Sequence, residues 1–401
     1  MDDSNTILIL KGASEYGVLR KAIDLLGIAF QKRGYQIKVV DLMDENSNLS
    51  MENIVEEILK PYAFIFACQS VGCDITVEKN GREYNILDLI ETPFIGWNFD
   101  HPEEHLQRII KVNSKQFHLA AIDQKHVIYM NRFVKNLKNV FFLPHGGFVG
   151  VTEPKPFADR EIDIFCPGTS GTEISIEPYV RKFGETIRTM YQGVFQLAEE
   201  NPDMAGFECI EKYITDLGME FDEEGFEEVK FIMNLVDVNS RHKCKIESVK
   251  ALLKAGKKVV VAGSGWEELK EMYPDRLEYI KNNMEISEVI EYMQNSKVVL
   301  NLAPTLTGGL HERILTGLLA KAAVITPYNS YCAKTLEACK SLYFMEMKQI
   351  DKLPQIVEGI LQTEHMEEYT TQAKEYLLKH HTWEKRSEEI LDYVEKIKHE
   401  R

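Results

Sequence analysis

The strongest constraint on this chain is a rhythm. Short apolar runs alternate with stretches whose apolar residues recur at helical spacing. Residues 6–10 (Thr-Ile-Leu-Ile-Leu) read as a buried strand. Leu19, Ile23, Leu26 and Phe30 then mark one face of a helix over 16–33, closed by Gly34. A strand over 37–42, a helix over 51–60 stopped by Pro61, and a strand over 63–67 follow. Asn80-Gly81 predicts a small hairpin within 76–84. Strands at 94–97, 117–122 and 140–143, with a helix over 126–134, complete the first half. Regular strand–helix alternation implies a parallel sheet covered by helices on both faces.

Residues 149–160 interrupt the rhythm with Pro154, Pro156 and mixed charges, and read as a linker. A strand at 162–166 restarts it. Residues 173–254 then carry almost no strand signal and predict a helical insertion, with helices over 179–199 and 226–236 among its members. Strands follow at 258–262, 277–280, 298–302, 323–326 and 342–345, with helices over 266–273, 287–295, 312–320 and 353–361. The charged tail reads as helices broken near His380-His381-Thr382. The expected fold class is α/β, with two Rossmann-like, doubly wound parallel-sheet domains. Residues 1–155 form the first domain, 156–365 the second with its insertion, and 366–401 are C-terminal helices that cross back to the first.

Composition narrows the partners. Lys and Arg number 47 against 63 Asp and Glu, so the net charge is 47 − 63 = −16. Such a surface repels phosphate backbones and anionic lipid, which argues against nucleic acid as a main partner. No apolar run approaches the ~20 residues that span a bilayer, and the start of the chain shows no signal peptide. The seven cysteines are scattered without a Cys-x-x-Cys pair. Buried thiols in a reducing cytoplasm are expected, with no zinc site or disulfide framework.

Ligands of open parallel sheets bind beyond the carboxyl ends of the strands. Gly263-Ser264-Gly265-Trp266 follows one strand, and its amides suit a phosphate or sugar hydroxyl. Residues 303–313 are more telling. A loop with Gly308-Gly309 opens a helix whose first turn carries His311, Glu312 and Arg313. Amides, helix dipole and a guanidinium that grips phosphate oxygens would converge there on a diphosphate. In the first half, Asp100-His101-Pro102 follows a strand and offers a general base for an acceptor hydroxyl, with Asp100 orienting the imidazole. The plainer reading is Asp100 capping a helix that begins near Pro102. His145-Gly146-Gly147 lies just before the linker, where a cleft or hinge is expected. Gly12-Ala13-Ser14 reads as a cleft-lining, acceptor-side turn. No Asp-x-Asp triplet occurs, so a metal-chelating nucleotide-sugar site has no candidate.

Residues 296–302, the helix start over 308–313 and residues 320–326 resemble the C-terminal domain of the CgeB-like spore-maturation glycosyltransferases. His381-Thr382-Trp383-Glu384-Lys385-Arg386 is similar to that family's closing His-Thr-aromatic-x-x-Arg segment. Asp100-His101-Pro102, Ala121-Ile122-Asp123 through Tyr129, and Leu143 to Gly147 look like a Firmicute-type subgroup of it. The resemblance covers most of the chain. It implies GT-B architecture, a nucleotide-sugar donor such as a UDP-sugar held mainly by the second domain, an acceptor held mainly by the first, and no essential metal or other cofactor. Backbone near Glu285 and Ile286 would hold the base. Three positions depart from the family's pattern. Thr316 stands where many relatives carry an acidic residue for the ribose, Lys321 replaces a small Gly, and Pro327 replaces an acidic residue. The expected activity is transfer of a sugar from a nucleotide diphosphate to a hydroxyl. A nucleotide-sugar epimerase of the same fold and a non-catalytic nucleotide- or sugar-binding protein are the alternatives.

Overall fold

The computed structural model describes residues 5–14, 17–43, 50–280 and 284–400. Tyr16, expected to open the first helix, lies outside them. Contacts divide the chain into two compact units. The first holds residues 1–146 and 381–401, and the second holds residues 147–380.

The first unit is built on β1 (Thr6–Lys11), β2 (Gln36–Asp41), β3 (Phe64–Cys68), β6 (Phe94–Asn98), β7 (Phe117–Ala121) and β8 (Val140–Phe142). They form one parallel sheet in the order β2-β1-β3-β6-β7-β8. Helices cover both faces, so the central strands are mostly apolar: β3, β6 and β7 are buried at every position, including Asn98 and His118. The edge strand β2 buries only Val40 and puts Gln36, Lys38 and Val39 outside. The hairpin at Asn80-Gly81 is present as β4 (Thr76–Lys79) and β5 (Arg82–Asn85), which pair antiparallel.

The last helix, Trp383–His399, belongs to this unit. Thr382 caps it by accepting from the Lys385 amide at 3.3 Å, and Arg386 reaches back to His381 Nδ1 at 3.1 Å. Trp383 is buried against Trp97 and Phe99, with ring centroids 5.7 and 6.2 Å away. Tyr393 stacks on Phe141 at 3.8 Å and meets His118 Nδ1 at 3.0 Å. The His-Thr-Trp-x-x-Arg segment is therefore an anchor. Its hydroxyl starts the helix and its indole is fixed over the ends of β6 and β8.

The second unit repeats the plan with β9 (Ile162–Pro167), β10 (Val259–Ala262), β11 (Leu277–Ile280), β12 (Ser296–Leu300), β13 (Ala323–Pro327) and β14 (Leu342–Met345). Their order is β11-β10-β9-β12-β13-β14, all parallel. Between β9 and β10 the chain makes helices Glu177–Phe183, Glu185–Glu200, Gly206–Asp216, Glu223–Val229 and Phe231–Lys254. Gly184, at φ 90°, splits the single helix expected over 179–199. Helix Ser330–Thr335 was not expected; Asn329 caps it by accepting from the Cys332 amide at 2.6 Å.

The division between the units falls before the Pro-rich segment, not at its end. Phe148 donates its amide to Thr316 Oγ1 at 3.2 Å, and Gly147 lies directly on Leu315 and Leu319. Side chains of the second unit thus seize the chain as soon as Gly146 is passed. Helix Met366–His380 also stays with the second unit, burying Ala373 and Leu377 in its core.

Candidate functional site

In both sheets the strand order reverses at the first strand. The second unit turns around between β9 and β12, and crevices at such points are where α/β sheets take ligands. Two loops meet there. Gly168 donates to Ala262 O at 2.9 Å, Ser170 N to Ser264 O at 3.0 Å, and Ser170 Oγ to Gly265 O at 2.7 Å. Trp266 Nε1 closes the set on Gly168 O at 3.1 Å. A Cβ at Gly263 would sit 2.7 Å from the Gly168 carbonyl carbon and the Thr169 nitrogen, so no other residue allows this approach.

Arg313 comes to the same place from the first turn of helix Glu312–Leu319. Its Nη1 donates to Asn301 Oδ1 at 3.0 Å, and Asn301 Nδ2 donates to Thr326 Oγ1 at 3.0 Å. Asn301 stands one residue beyond β12 and is buried, so the guanidinium is held by a hydrogen-bonded chain rooted in two strand ends. Gly168, at φ 117°, leaves the room that Arg313 Nη2 fills; a methyl there would lie 3.2 Å from it.

A second cation arrives that motif reading missed. Lys245, on helix Phe231–Lys254, donates to Thr169 O at 2.6 Å. Burial pushes its pKa down to about 8, and the positive charge of Arg313 adds to the effect. Neither Arg313 nor Lys245 makes an ion pair among the described residues. The readable signal was its position: Lys245 shares a helical stripe with the buried Ser248, Val249 and Leu252. A lysine on an apolar face needs a partner.

His311 caps helix Glu312–Leu319, accepting from the Arg313 amide at 3.2 Å through Nδ1. The same nitrogen lies 2.5 Å from Glu312 Oε2. Burial lowers the His311 pKa, and the Glu312 carboxylate opposes that shift. The helix N-terminus, Arg313 and Lys245 gather positive charge here, with the Glu312 carboxylate of the same turn directed to His311.

Other residues expected here serve the framework. Trp266 is fully buried in the hydrophobic core and faces no ligand. Gly265 is where Ser170 Oγ passes; a Cβ would meet it at 2.3 Å. Ser264 Oγ is the exposed group of that turn, 3.4 Å from Thr169 Oγ1. Thr316 is buried and spent on the Phe148 amide, so it offers nothing to a ribose. Glu285 has its amide on Glu288 Oε2 at 2.9 Å and its carbonyl in the first turn of Ile286–Gln294, so the backbone expected to hold a base is already engaged; Ile286 is buried. Gly308 and Gly309 are buried, and Asn329 Nδ2 holds the loop by the Leu306 carbonyl at 2.9 Å.

In the first unit the turning point lies between β1 and β3. Gln69 and Ser70 follow β3 with φ of 53° and 52°, a left-handed pair of non-glycine residues. Strain of this kind persists where surrounding bonds over-determine it. Ser70 Oγ donates to Asn98 Oδ1 at 2.7 Å, Gln69 Oε1 accepts from the Phe99 amide at 3.1 Å, and Arg108 Nη1 donates to Gln69 O at 2.6 Å. Gln69 Nε2 also donates to Asp100.

The Asp100 carboxylate pairs with His105 Nε2 at 3.4 Å, and that bond, opposed by burial, holds its pKa below the usual carboxylate range. His101, not Asp100, is the cap: its Nδ1 accepts from the Glu103 amide at 3.3 Å. The His101 ring stands edge-on to His126 and Tyr129 at 4.9 and 5.1 Å. His126 is buried, its pKa is lowered to about 4 by desolvation, and its Nδ1 has no partner among the described residues. His145 is buried with its ring 4.9 Å from Phe99. Gly146 lets Trp383 in, since a Cβ there would lie 2.7 Å from the Trp383 nitrogen. Gly12 packs beside Val71, next to the Gln69–Ser70 pair. Gly12 O accepts from Arg20 at 3.0 Å, and Ser14 Oγ accepts from the Leu19 amide at 2.9 Å.

Residues 241–392 match a family model described as glycosyl transferase-like. That match supports an enzyme of the glycosyltransferase type. The matched segment opens four residues before Lys245 and contains Asn301 and Arg313. Solved structures agree on the fold. A glycosyltransferase from Rickettsia africae ESF-5 is 12% identical and superposes over 98% of both chains with a TM-score of 0.55. Sucrose-phosphate synthase from Thermosynechococcus elongatus is 10% identical over 99% of this chain and 100% of its own, with a TM-score of 0.57. Anabaena HepE, solved with UDP and glucose, is 10% identical over 98% of this chain and 99% of its own, with a TM-score of 0.54. The two six-stranded sheets and the C-terminal helices are those of the GT-B fold. A search of curated proteins finds no match. No helix among the described residues is long and apolar enough to cross a membrane.

Proposed function

We propose that this protein transfers a sugar from a nucleoside diphosphate donor to a hydroxyl group, as a CgeB-like glycosyltransferase. The observation that carries the reading is the pair of cations, Arg313 and Lys245, near the strand-reversal point, neither of them ion-paired among the described residues. In the reaction, the bond from the sugar C1 to the β-phosphate oxygen breaks and the nucleoside diphosphate leaves with the electron pair. The acceptor oxygen bonds to C1 and gives its proton to a base. Negative charge grows on the leaving diphosphate, and fixed donors at that point lower the barrier. The guanidinium fork and the ammonium supply charge that a divalent ion supplies elsewhere, so no metal is needed.

Asp100 is proposed as the proton acceptor. It is ionised at neutral pH, half-exposed, and held by Gln69 and His105. UDP is the first nucleotide to test, since UDP and glucose occupy the Anabaena neighbour. Titration of UDP, ADP and GDP into the protein in the presence of EDTA tests the donor side. Failure of all three to bind would remove the reading; binding followed by slow hydrolysis of the matching nucleotide sugar would place the protein among enzymes and not passive binders.

A further inference from the structure

The turn after β3 spends itself on the end of β6. Gln69 and Ser70 stand at φ 53° and 52°, where glycine is at ease and most other residues are seldom found. Each keeps a side chain there and uses it. Gln69 N donates to Trp97 O at 2.9 Å, just past the final β3–β6 pair of Cys68 with Trp97. Ser70 Oγ donates to Asn98 Oδ1 at 2.7 Å. Gln69 Oε1 accepts from the Phe99 amide at 3.1 Å, and Nε2 donates to the Asp100 carboxylate. Trp97, Asn98, Phe99 and Asp100 are thus gripped in turn by two strained residues.

The Gln69 carboxamide stands in for a peptide group. Its oxygen takes the Phe99 amide as a ladder carbonyl would, and its nitrogen turns to the next residue. Two bonds on one planar group fix its rotation. The anchor is itself tied down. Arg108 Nη1 donates to Gln69 O at 2.6 Å, and Arg108 Nε lies 3.6 Å from Asp74. Asp100 is half-exposed, and an exposed carboxylate without such a hold samples several rotamers.

We infer that Gln69 is a positioning residue for Asp100: the left-handed turn after β3 holds that carboxylate in the rotamer from which it takes the acceptor proton. The inference rests on the reading of Asp100 as the base and adds the residue through which the first unit preorganises it. Gln69 acts through Asp100 and not on the substrate.

UDP release from UDP-glucose and UDP-galactose, with water as acceptor, reads turnover in the full chain, and carboxyl-carbon NMR reads the Asp100 titration. Gln69→Gly relaxes the backbone and removes the carboxamide. Gln69→Asn also tolerates a positive φ and keeps the carboxamide, one methylene too short to reach both partners. Both should lower kcat roughly 10- to 100-fold while KM for the donor stays within about twofold. Both should raise the Asp100 titration midpoint, and with it the acid limb of the pH–rate profile, because a bond to the carboxylate is lost. Tm of Gln69→Gly should fall by no more than about 3 °C, since strain is relieved as bonds are lost. A turn that serves folding alone would leave Gln69→Gly at the parental kcat and midpoint. That result, turnover that falls only as far as the folded fraction, or failure of both variants to fold overturns the inference while Asp100→Asn remains slow. Asp100→Asn at full rate, or a parent that releases no UDP, overturns the base reading and this inference with it.

Discussion

Arg313→Ala is the most informative substitution. One arm of the guanidinium is held by Asn301 Oδ1 at 3.0 Å, which leaves Nη2 and Nε to grip the diphosphate. A hydrogen bond to a charged group contributes about 1.5–3 kcal/mol, and two on one fork do not add fully. A loss of about 2–3 kcal/mol is expected, which corresponds to roughly 30- to 150-fold weaker UDP binding. Arg313→Lys keeps the charge but not the fork and should fall between. UMP has no β-phosphate, so its affinity should change little. The substitution also strips a partner from buried Asn301, so a modest fall in Tm without ligand is expected in addition. Isothermal titration of UDP and UMP against all three proteins reads these effects. UDP affinity within twofold of the parent in a folded Arg313→Ala protein would refute the reasoning.

Lys245 yields a pH signature. Its folded pKa of about 8 lies below its ordinary 10.5, so the cost of burying the charge is present below pH 8. That cost is relieved as pH rises toward 10.5; stability without ligand should therefore increase across that window. UDP affinity should run the other way, falling above pH 8 as the ammonium is lost, with buffer-dependent heats showing proton uptake on binding near pH 8. Lys245→Met should flatten both profiles, raise Tm without ligand and weaken UDP. Asp100→Asn should reduce turnover about 10²- to 10⁴-fold, the usual contribution of a general base, while leaving UDP affinity unchanged; a steady-state assay with an identified acceptor checks it. Because the His105 bond holds the Asp100 pKa down, the acid limb of the pH–rate profile should lie below the usual carboxylate range. Gly263→Ala should destabilise the second unit by about 1–3 kcal/mol in denaturant melts, since the added methyl meets the Gly168–Thr169 backbone at 2.7 Å.

Much of the architecture was legible because parallel sheets are buried on both faces. Phe64–Cys68 and Val259–Ala262 announce themselves as unbroken apolar runs, and the helices between them by their stripes. Topology followed from alternation. What stayed hidden depends on contacts between distant residues. Gly263-Ser264-Gly265 reads as a ligand cradle, yet two of its three residues are small because the Gly168–Ser170 loop passes there. Thr316 reads as a departure at a ribose position, and the fold shows it holding Phe148. Asp100 and His101 are neighbours in sequence, but the β6–helix turn sends one carboxylate to His105 and one ring to the Glu103 amide. Arg313 could be singled out as a candidate because a helix start after a strand is a local pattern. Lys245 was not, because the insertion separates β9 from the helix that carries it and only folding brings it to Thr169.

The central claim is that a diphosphate binds between Arg313 and Lys245. A crystal structure of the protein soaked with UDP tests it most directly. The β-phosphate should lie within about 2.7–3.2 Å of both the guanidinium and the Lys245 ammonium, with Arg313 still resting on Asn301. UDP found elsewhere, with Lys245 still bound to the Thr169 carbonyl, would contradict the account.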